Sequence, residues 1–365
     1  MAARIRVVLD MTSAAKPQRG GIQNYIHNLV RALGKHAPDI EIVPGIRASH
    51  SRDRAHLAEF APVRTLLPFR TFGARVHHAL GIKLPWSLMG RGCRRIVTIH
   101  DLGVFDAPEL YDPEWVRRRR RRIAQTVRRA HGIIVYTNHT RDRLQRIFPR
   151  YRHAIAVTPL GVDHARFSAQ PEAEDEKTVA QLGINRPYVL AVGALAERKQ
   201  PMTLVRGFAA SAHAHRHALV LVGKVVDAQV WALSAAARDA GIETNLVLPG
   251  YVPDSVLPAL YRRAHAFVFA SKYEGFGLPI VEALACGAPV LTTNTSCLGE
   301  VAGDAARYFS HDDPQSLAAE LDKVFTADRG EARERRERGI AWSAQFTWKR
   351  TAELTAEFYR SESRP

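Results

Sequence analysis

The 365-residue chain has only three cysteines, Cys93, Cys286 and Cys297, which form neither an even set nor a CxxC spacing. Their scarcity excludes a disulfide framework and a thiolate zinc site, and a reducing compartment is the expectation. Acidic residues are also in short supply: 36 Asp and Glu face 52 Lys and Arg, a formal charge of +16. Such a surplus offers surface to an anionic partner, whether nucleic acid, a lipid headgroup or a phosphorylated substrate, and its sign alone does not choose among them. No run reaches the roughly 18 uninterrupted apolar residues of a membrane-spanning helix. The opening MAARIRVVLDMTSAAK has neither the longer apolar region nor the cleavage site of an export signal. The chain is therefore expected in the cytoplasm, with only peripheral membrane contact. Two further absences narrow the function. A GxGxxG directly after the first strand is missing, which argues against a nicotinamide oxidoreductase. Zinc-finger, RRM and helix-turn-helix patterns are missing too, so a basic nucleic-acid-binding protein is the weaker alternative and no nucleic acid is expected as partner.

What is present is globular: 46% hydrophobic and 24% charged residues, enough for two domains of ordinary size. Residues 5–9 read as a buried strand, followed by a polar loop, Gly20-Gly21 and a helix with Ile22, Ile26, Leu29, Val30 and Leu33 on one face. Short β-branched runs recur at 40–43, 96–99, 132–136 and 155–157, the pattern of a parallel sheet covered by helices. Residues 168–178, SAQPEAEDEKT, are acidic and poor in large apolar side chains, as a linker would be. After them the pattern repeats, with strands at 188–192, 218–222, 245–248, 266–269 and 289–292. This predicts an α/β protein with a first domain at 1–165, a linker at 166–186 and a second domain at 187–340. A terminal helical segment at 341–365 should dock aromatic residues back onto the first domain.

The most informative stretch is SKYEGFGLPIVEALACGAPVLTT at 271–293. Gly275 and Gly277 let the backbone turn sharply after a strand and expose amide groups just before a helix, the form of a phosphate cradle. Glu274 in the loop and Glu282 in the helix stand eight residues apart, suited to different parts of one elongated ligand. Upstream, GALAERK at 193–199 follows another strand and brings Arg198 and Lys199 to the carboxyl edge of the sheet. Two cations there could neutralise a leaving diphosphate, though position alone equally allows a solvated helix start.

These residues carry a resemblance to the retaining glycosyltransferases of family 4 (GT4). The family signature, two glutamates around Phe-Gly, stands here as EGFGLPIVE at 274–282, and the likeness extends over 250–309. In the first half, weaker matches occur in order: GGIQNY at 20–25, TIHDLGVFDAPELY at 98–111, NHT at 138–140 and VTPLGVD at 157–163. The resemblance implies the GT-B fold, two facing Rossmann-like domains with parallel sheets and an inter-domain cleft. It implies that Glu274 faces the transferred sugar, that Glu282 holds the ribose, and that Gly275, Phe276, Gly277 and Leu278 offer backbone amides to phosphate and sugar. Arg198 and Lys199, with Gly193, would serve the diphosphate, the neighbourhood of Tyr251 and Val252 the base, Gly20 and Gly21 the diphosphate and acceptor, and His100 the donor sugar. The segment at 81–95, GIKLPWSLMGRGCRR, is compressed relative to relatives that carry an additional histidine-bearing strand there.

The expected activity is retaining transfer of a hexose from a nucleotide sugar to a lipid-linked or polysaccharide acceptor, with GDP-mannose first and UDP-glucose second as donor. The nucleotide sugar is a co-substrate and no cofactor is expected. No Asp-x-Asp accompanies the donor motif, so metal independence is expected. The basic surplus is densest at 117–129, RRRRRRIAQTVRR, with eight arginines and no acid. As a helix it would present its charge to an anionic surface, suiting a place on the inner face of the cytoplasmic membrane.

Overall fold

The computed structural model describes residues 4–15, 20–67, 71–84, 92–193, 195–224 and 226–363. The chain forms two compact units, one of residues 1–161 with 346–365 and one of residues 162–345.

The first unit is built on seven parallel strands: β1 (Ile5–Asp10), β2 (Ile40–Arg47), β3 (Arg64–Leu66), β4 (Val76–Ala79), β5 (Arg94–Thr98), β6 (Gly132–Val135) and β7 (Ala154–Val157). Their order is β3-β2-β1-β4-β5-β6-β7. Val7, Val8, Val97, Ile133 and Ile134 are all buried, because helices cover both faces and leave no polar side to the sheet. The chain leaves β1 toward β2 and β3, then returns to the other side of β1 for β4 and continues to β7. The loops after β1 and β4 therefore diverge, which opens a crevice at the carboxyl edge, the usual ligand position in such sheets. The helix Gly21–His36 starts at this edge and buries Tyr25, Ile26, Leu29, Val30 and Leu33, whereas Ile22 stays partly exposed.

Strands β3 and β4 were not apparent from the sequence, being only three and four residues long. Strand β4, VHHA, supplies His77 and His78 just ahead of the segment that reads as compressed, so a histidine-bearing strand is present after all, and it pairs with both β1 and β5. The helix Trp348–Glu362 completes this unit. A Cβ on Gly161 would lie 2.2 Å from the Trp348 nitrogen, and one on Gly132 would lie 2.8 Å from Phe358 Cζ, so both glycines are needed for close approach. Tyr359 is hydrogen-bonded to His78, and Arg360 pairs with Asp39.

The second unit holds six parallel strands: β8 (Tyr188–Val192), β9 (Ala218–Val222), β10 (Leu246–Gly250), β11 (Ala266–Phe269), β12 (Val290–Thr293) and β13 (Ala306–Phe309). Their order, β10-β9-β8-β11-β12-β13, places the same reversal between β8 and β11. Strand β13 escaped the sequence pattern because only Phe309 of its four residues is buried. The acidic stretch that reads as linker contains a helix, Asp175–Ala180, whose buried Asp175 takes two bonds from Arg262 at 2.6 and 2.7 Å. It is part of the second unit's body. Trp342 also belongs here, donating to the Val301 carbonyl at 2.8 Å, so the aromatic terminal segment is divided between the two units. Among the described residues no helix is long and apolar enough to cross a membrane.

Candidate active site

At the reversal point of the second sheet, two loops are stitched together. The turn Glu197–Lys199 follows β8, and residues 271–277 follow β11. The Lys272 amide donates to the Arg198 carbonyl at 2.8 Å, and buried Ser271 reaches the same oxygen at 3.3 Å. This contact brings Arg198 and Lys199 onto Glu274: Arg198 Nη1 lies 2.5 Å, Lys199 Nζ 2.6 Å and Ser271 Oγ 2.7 Å from Glu274 Oε1. All three donors converge on one carboxylate oxygen. Lys199 Nζ also sits 3.9 Å from the centroid of the Phe269 ring, an electrostatically favourable seat for a cation. Burial by itself would push Glu274 upward, but the Lys199 and Arg198 charges and the hydrogen bonds outweigh it and hold the carboxyl at about 2. Glu274 is thus ionised throughout the neutral range and has no proton to give.

The backbone of this loop is held from behind. The Glu274 amide donates to Ser296 Oγ at 3.1 Å, and Cys297 Sγ lies 3.2 Å from the Glu274 carbonyl and 3.5 Å from that of Phe276. Cys297 is fully buried, and burial pushes its thiol up, so it stays protonated and able to donate. Gly277, at φ +101°, caps the helix Leu278–Ala285; a Cβ there would also meet Leu298 Cδ2 at 3.1 Å. Phe276 is buried, so its contribution to any ligand comes from the main chain. Gly193 at φ +134° gives β8 the turn that starts the basic loop.

Glu282 lies on the helix Leu278–Ala285, apart from this cluster. Tyr261 Oη donates to its Oε2 at 3.1 Å, and burial, opposed by Tyr261 and Arg166, raises the carboxyl to about 7. Tyr251, 56% exposed, has Lys224 Nζ 6.0 Å from its ring centroid and offers an open aromatic face. Its neighbour Val252 is buried, so its side chain presents no open surface.

Gly20, Gly21 and His100 belong to the first unit. Gly21 opens the helix Gly21–His36, a Cβ there would meet nothing within 4 Å, and no side chain caps the helix start. His100, at the end of β5, has both ring nitrogens engaged: Nε2 lies 3.0 Å from the Leu80 carbonyl and Nδ1 2.5 Å from Tyr136 Oη. A carbonyl only accepts, so Nε2 carries the proton and Nδ1 accepts from the tyrosine. Burial lowers His100 to about 4, so the ring is neutral. Asp101 caps the next turn by accepting from the Gly103 amide at 3.0 Å. No described group of three or more His, Cys, Asp or Glu is arranged to hold a metal ion. Sequence reasoning missed Ser271, Ser296, Cys297 and Tyr261. Only Ser271, three residues before Glu274, carried a local signal.

Comparison with known proteins places this geometry. Residues 174–341 match the family described as "Glycosyl transferases group 1". The chain is 29% identical over 308 residues to O-antigen chain mannosyltransferase B of Escherichia coli, covering 82% of this chain and 77% of that one. It is 26% identical over 403 residues to the GDP-mannose-dependent alpha-(1-6)-phosphatidylinositol monomannoside mannosyltransferase of Mycobacterium tuberculosis, covering 97% of this chain and 98% of the relative. Against the serotype-specific mannosyltransferase WbdA of Escherichia coli, 30% identical over 231 residues, the chain spans only 27% of the relative's length. Among solved structures, sucrose-phosphate synthase from Thermosynechococcus elongatus superposes with a TM-score of 0.76 at 21% identity, over 98% of this chain and 99% of that one. The paired glutamates, basic turn and glycine-capped helix all lie inside the matched region, so the second unit is similar to the glycosyl transferases of group 1, and the chain shares the two-domain GT-B fold of its structural neighbours.

Proposed function

We propose that the enzyme transfers mannose from GDP-mannose, with retention of anomeric configuration, to a lipid-linked or polysaccharide acceptor. The observation that carries this reading is the ionised Glu274 seated between Arg198 and Lys199 at the reversal point of the second sheet. Mannosyl transfer is supported by the E. coli and M. tuberculosis relatives, whose names give mannosyltransferase activity and, for the second, GDP-mannose and a lipid acceptor.

In this reading Arg198, Lys199 and the amides from Gly275 to Leu278 take up the negative charge that grows on the departing nucleoside diphosphate. Because Oε1 of Glu274 already receives three donors, Oε2 is the oxygen left for hydroxyls of the transferred sugar. A permanently ionised carboxylate there orients the sugar and stabilises positive charge developing at the anomeric carbon, without a covalent intermediate. The acceptor hydroxyl attacks from the face the diphosphate leaves, and the leaving phosphate takes its proton. Glu282 receives ribose hydroxyls, and the exposed Tyr251 face stacks on the base. His100 meets the sugar by exchanging its bond to the Leu80 carbonyl for one to a sugar hydroxyl, as a neutral donor. The two cations supply the charge that a divalent metal would otherwise bring, so turnover should persist in EDTA.

The acceptor end is assigned to the inner face of the cytoplasmic membrane. On the helix Pro113–Val127 and its C-cap, Arg117, Arg118, Arg121, Arg122 and Arg128 are exposed while Val116, Ile123 and Val127 are buried, which leaves a cationic outer face for anionic lipid. The test is nucleoside diphosphate release by the full chain from GDP-mannose, UDP-glucose, ADP-glucose and dTDP-glucose with a lipid-linked glycosyl diphosphate as acceptor. Product NMR then reads the new linkage. Preference for GDP-mannose and an α linkage are expected; preference for UDP-glucose overturns the donor, and a β linkage overturns retention.

A further inference from the structure

Arg198 and Lys199 stand on one loop and Glu274 on another, and a third loop touches both. Asp312 follows β13, which lies two places along the sheet from β11 and three from β8. Its Oδ2 is 3.0 Å from Lys272 Nζ, on the loop that carries Ser271 and Glu274. Its Oδ1 accepts from Nε2 of Gln200, the residue that follows Lys199 in the basic turn. Exposed His311 also approaches Oδ2, with Nδ1 at 3.3 Å. A carboxylate only accepts, so one carboxylate suits an ammonium on one side and an amide NH2 on the other.

Gln200 and Asp312 both stand at positive φ, +51° and +58°, which residues other than glycine seldom adopt, so each backbone is held there by its surroundings. Gln200 is buried, and its amide oxygen has no hydrogen-bond partner among the described residues. The bond to Asp312 is then what fixes its side chain. Beside the basic turn is a cavity of about 430 Å³ whose walls include Leu195, Glu197, Gln200, Met202, Lys272 and Asp312. Packing therefore does not close that side of the turn, and ties between side chains have to hold it. Asp312 is half-exposed and fills no part of the core. Its neighbour Asp313 has a separate task, capping the helix Pro314–Phe325 by accepting from the Gln315 and Ser316 amides at 3.0 and 3.1 Å.

We propose that Asp312 is a positioning residue: it staples the turn after β8 to the loop after β11 and so keeps Arg198 and Lys199 seated on Glu274. The staple stands on the geometry alone; its effect on transfer rests on the function proposed above. The two cations answer charge that appears on the diphosphate only as it leaves, so a misplaced turn costs kcat more than donor binding. A free nucleoside diphosphate already carries that charge, and its affinity reports on the same turn.

Steady-state kinetics, thermal unfolding and isothermal titration with GDP and UDP, all on the full chain, test the staple. Asp312→Ala should lower kcat about tenfold, keep donor KM within about twofold and leave the thermal midpoint in place. Lys272→Met should lower kcat as well, and Lys272→Arg should recover most of it, because a guanidinium reaches the same carboxylate. Asp313→Ala should behave in the opposite way, lowering the thermal midpoint through the lost cap and leaving kcat unchanged. For the nucleoside diphosphate that binds, Asp312→Ala should weaken affinity about fivefold in the wild-type background and no further in Lys199→Ala, since both act through one turn. An Asp312→Ala variant with wild-type kcat overturns the proposal, as does one whose lost activity comes with a thermal midpoint lowered as far as that of Asp313→Ala. Additive losses in the Lys199→Ala background overturn it too, because Asp312 would then act on the ligand by itself. Non-additive losses in a chain that transfers no sugar, or that transfers from a donor other than GDP-mannose, keep the staple and defeat the proposed function instead.

Discussion

At the reversal point of the second sheet, Arg198 and Lys199 close on Glu274 within 2.6 Å; at the corresponding place in the first unit, Lys83, Arg119 and Arg122 form no ion pair among the described residues, although Arg119 feels the charge of Asp101. The two sheets are built alike, so the contrast lies in where each unit keeps its negative charge. At its edge the second sets Glu274 against two cations and so presents an organised, ionised group, whereas at the edge of the first Asp10 is buried against Arg47 alone. In the first unit the polar interior is mostly neutral: Tyr359, His78, Thr98 and Tyr25 form a buried chain of hydrogen bonds at 2.6, 2.8 and 2.9 Å. Burial lowers His78 to about 3, so this chain needs no counter-charge.

The comparison breaks most sharply at Glu274. Glu274→Ala and Lys199→Ala should each abolish transfer, with kcat down by about 10³ or more, because they remove the groups meant to answer charge in the transition state. Circular dichroism should show the fold retained. Glu274→Gln keeps the shape and removes the charge, and it should lose nearly as much activity as Glu274→Ala. Unchanged initial rates in any of these variants would show that the triad is structural.

The first unit is more exposed to a purely steric change. It is closed by a helix from the far end of the chain, seated on Gly161 with no room for a methyl group. Gly161→Ala should destabilise this unit by about 3 kcal/mol or more, the range of severe backbone clashes. Urea unfolding with a probe in each unit checks this. The transition of the first unit should move to lower urea while that of the second stays in place, and a joint shift would mean that the units unfold together.

The smallest expected effect concerns Glu282, whose carboxyl stands raised to about 7 by burial. A raised carboxyl favours the protonated form, so its contribution to stability is complete below about 4.5 and is lost as the pH rises through about 7. Binding runs the other way, since the ionised form accepts ribose hydroxyls better. Donor KM should therefore fall a few-fold between pH 6 and 8, and Glu282→Gln should flatten both trends, read by donor KM and by thermal midpoints across that range. A wild-type profile as flat as the variant's would remove Glu282 from ribose binding.

Much of the second site was legible locally. EGFGLPIVE holds both glutamates and the helix-capping glycine within nine residues, and Arg198 and Lys199 directly follow a strand and loop that the β-branched run announces. Ser296 and Cys297 were not legible, because they meet Glu274 across more than twenty residues of chain that the sheet folds back. Strands β3, β4 and β13 were hidden for a different reason. Three or four residues are too few to show a period, and the buried His77 and His78 read as polar. The neutrality of His100 came from its burial, beside the Arg119 charge, while Leu80 and Tyr136, from the ends of two other strands, fix its tautomer.

The sequence alone determined the class of architecture, the placement of the glutamate–glycine motif and the excess of positive charge, since these depend on residue type, short-range spacing and count. Only the tertiary structure decided how the charges are used. Ionisation and pairing depend on which groups come within a few ångströms and how much water remains around them. The chain sets those distances only after its strands have taken their non-sequential order. The same residue type thus became an ion-paired cation at Arg198 and, among the described residues, one without an ion pair at Arg122.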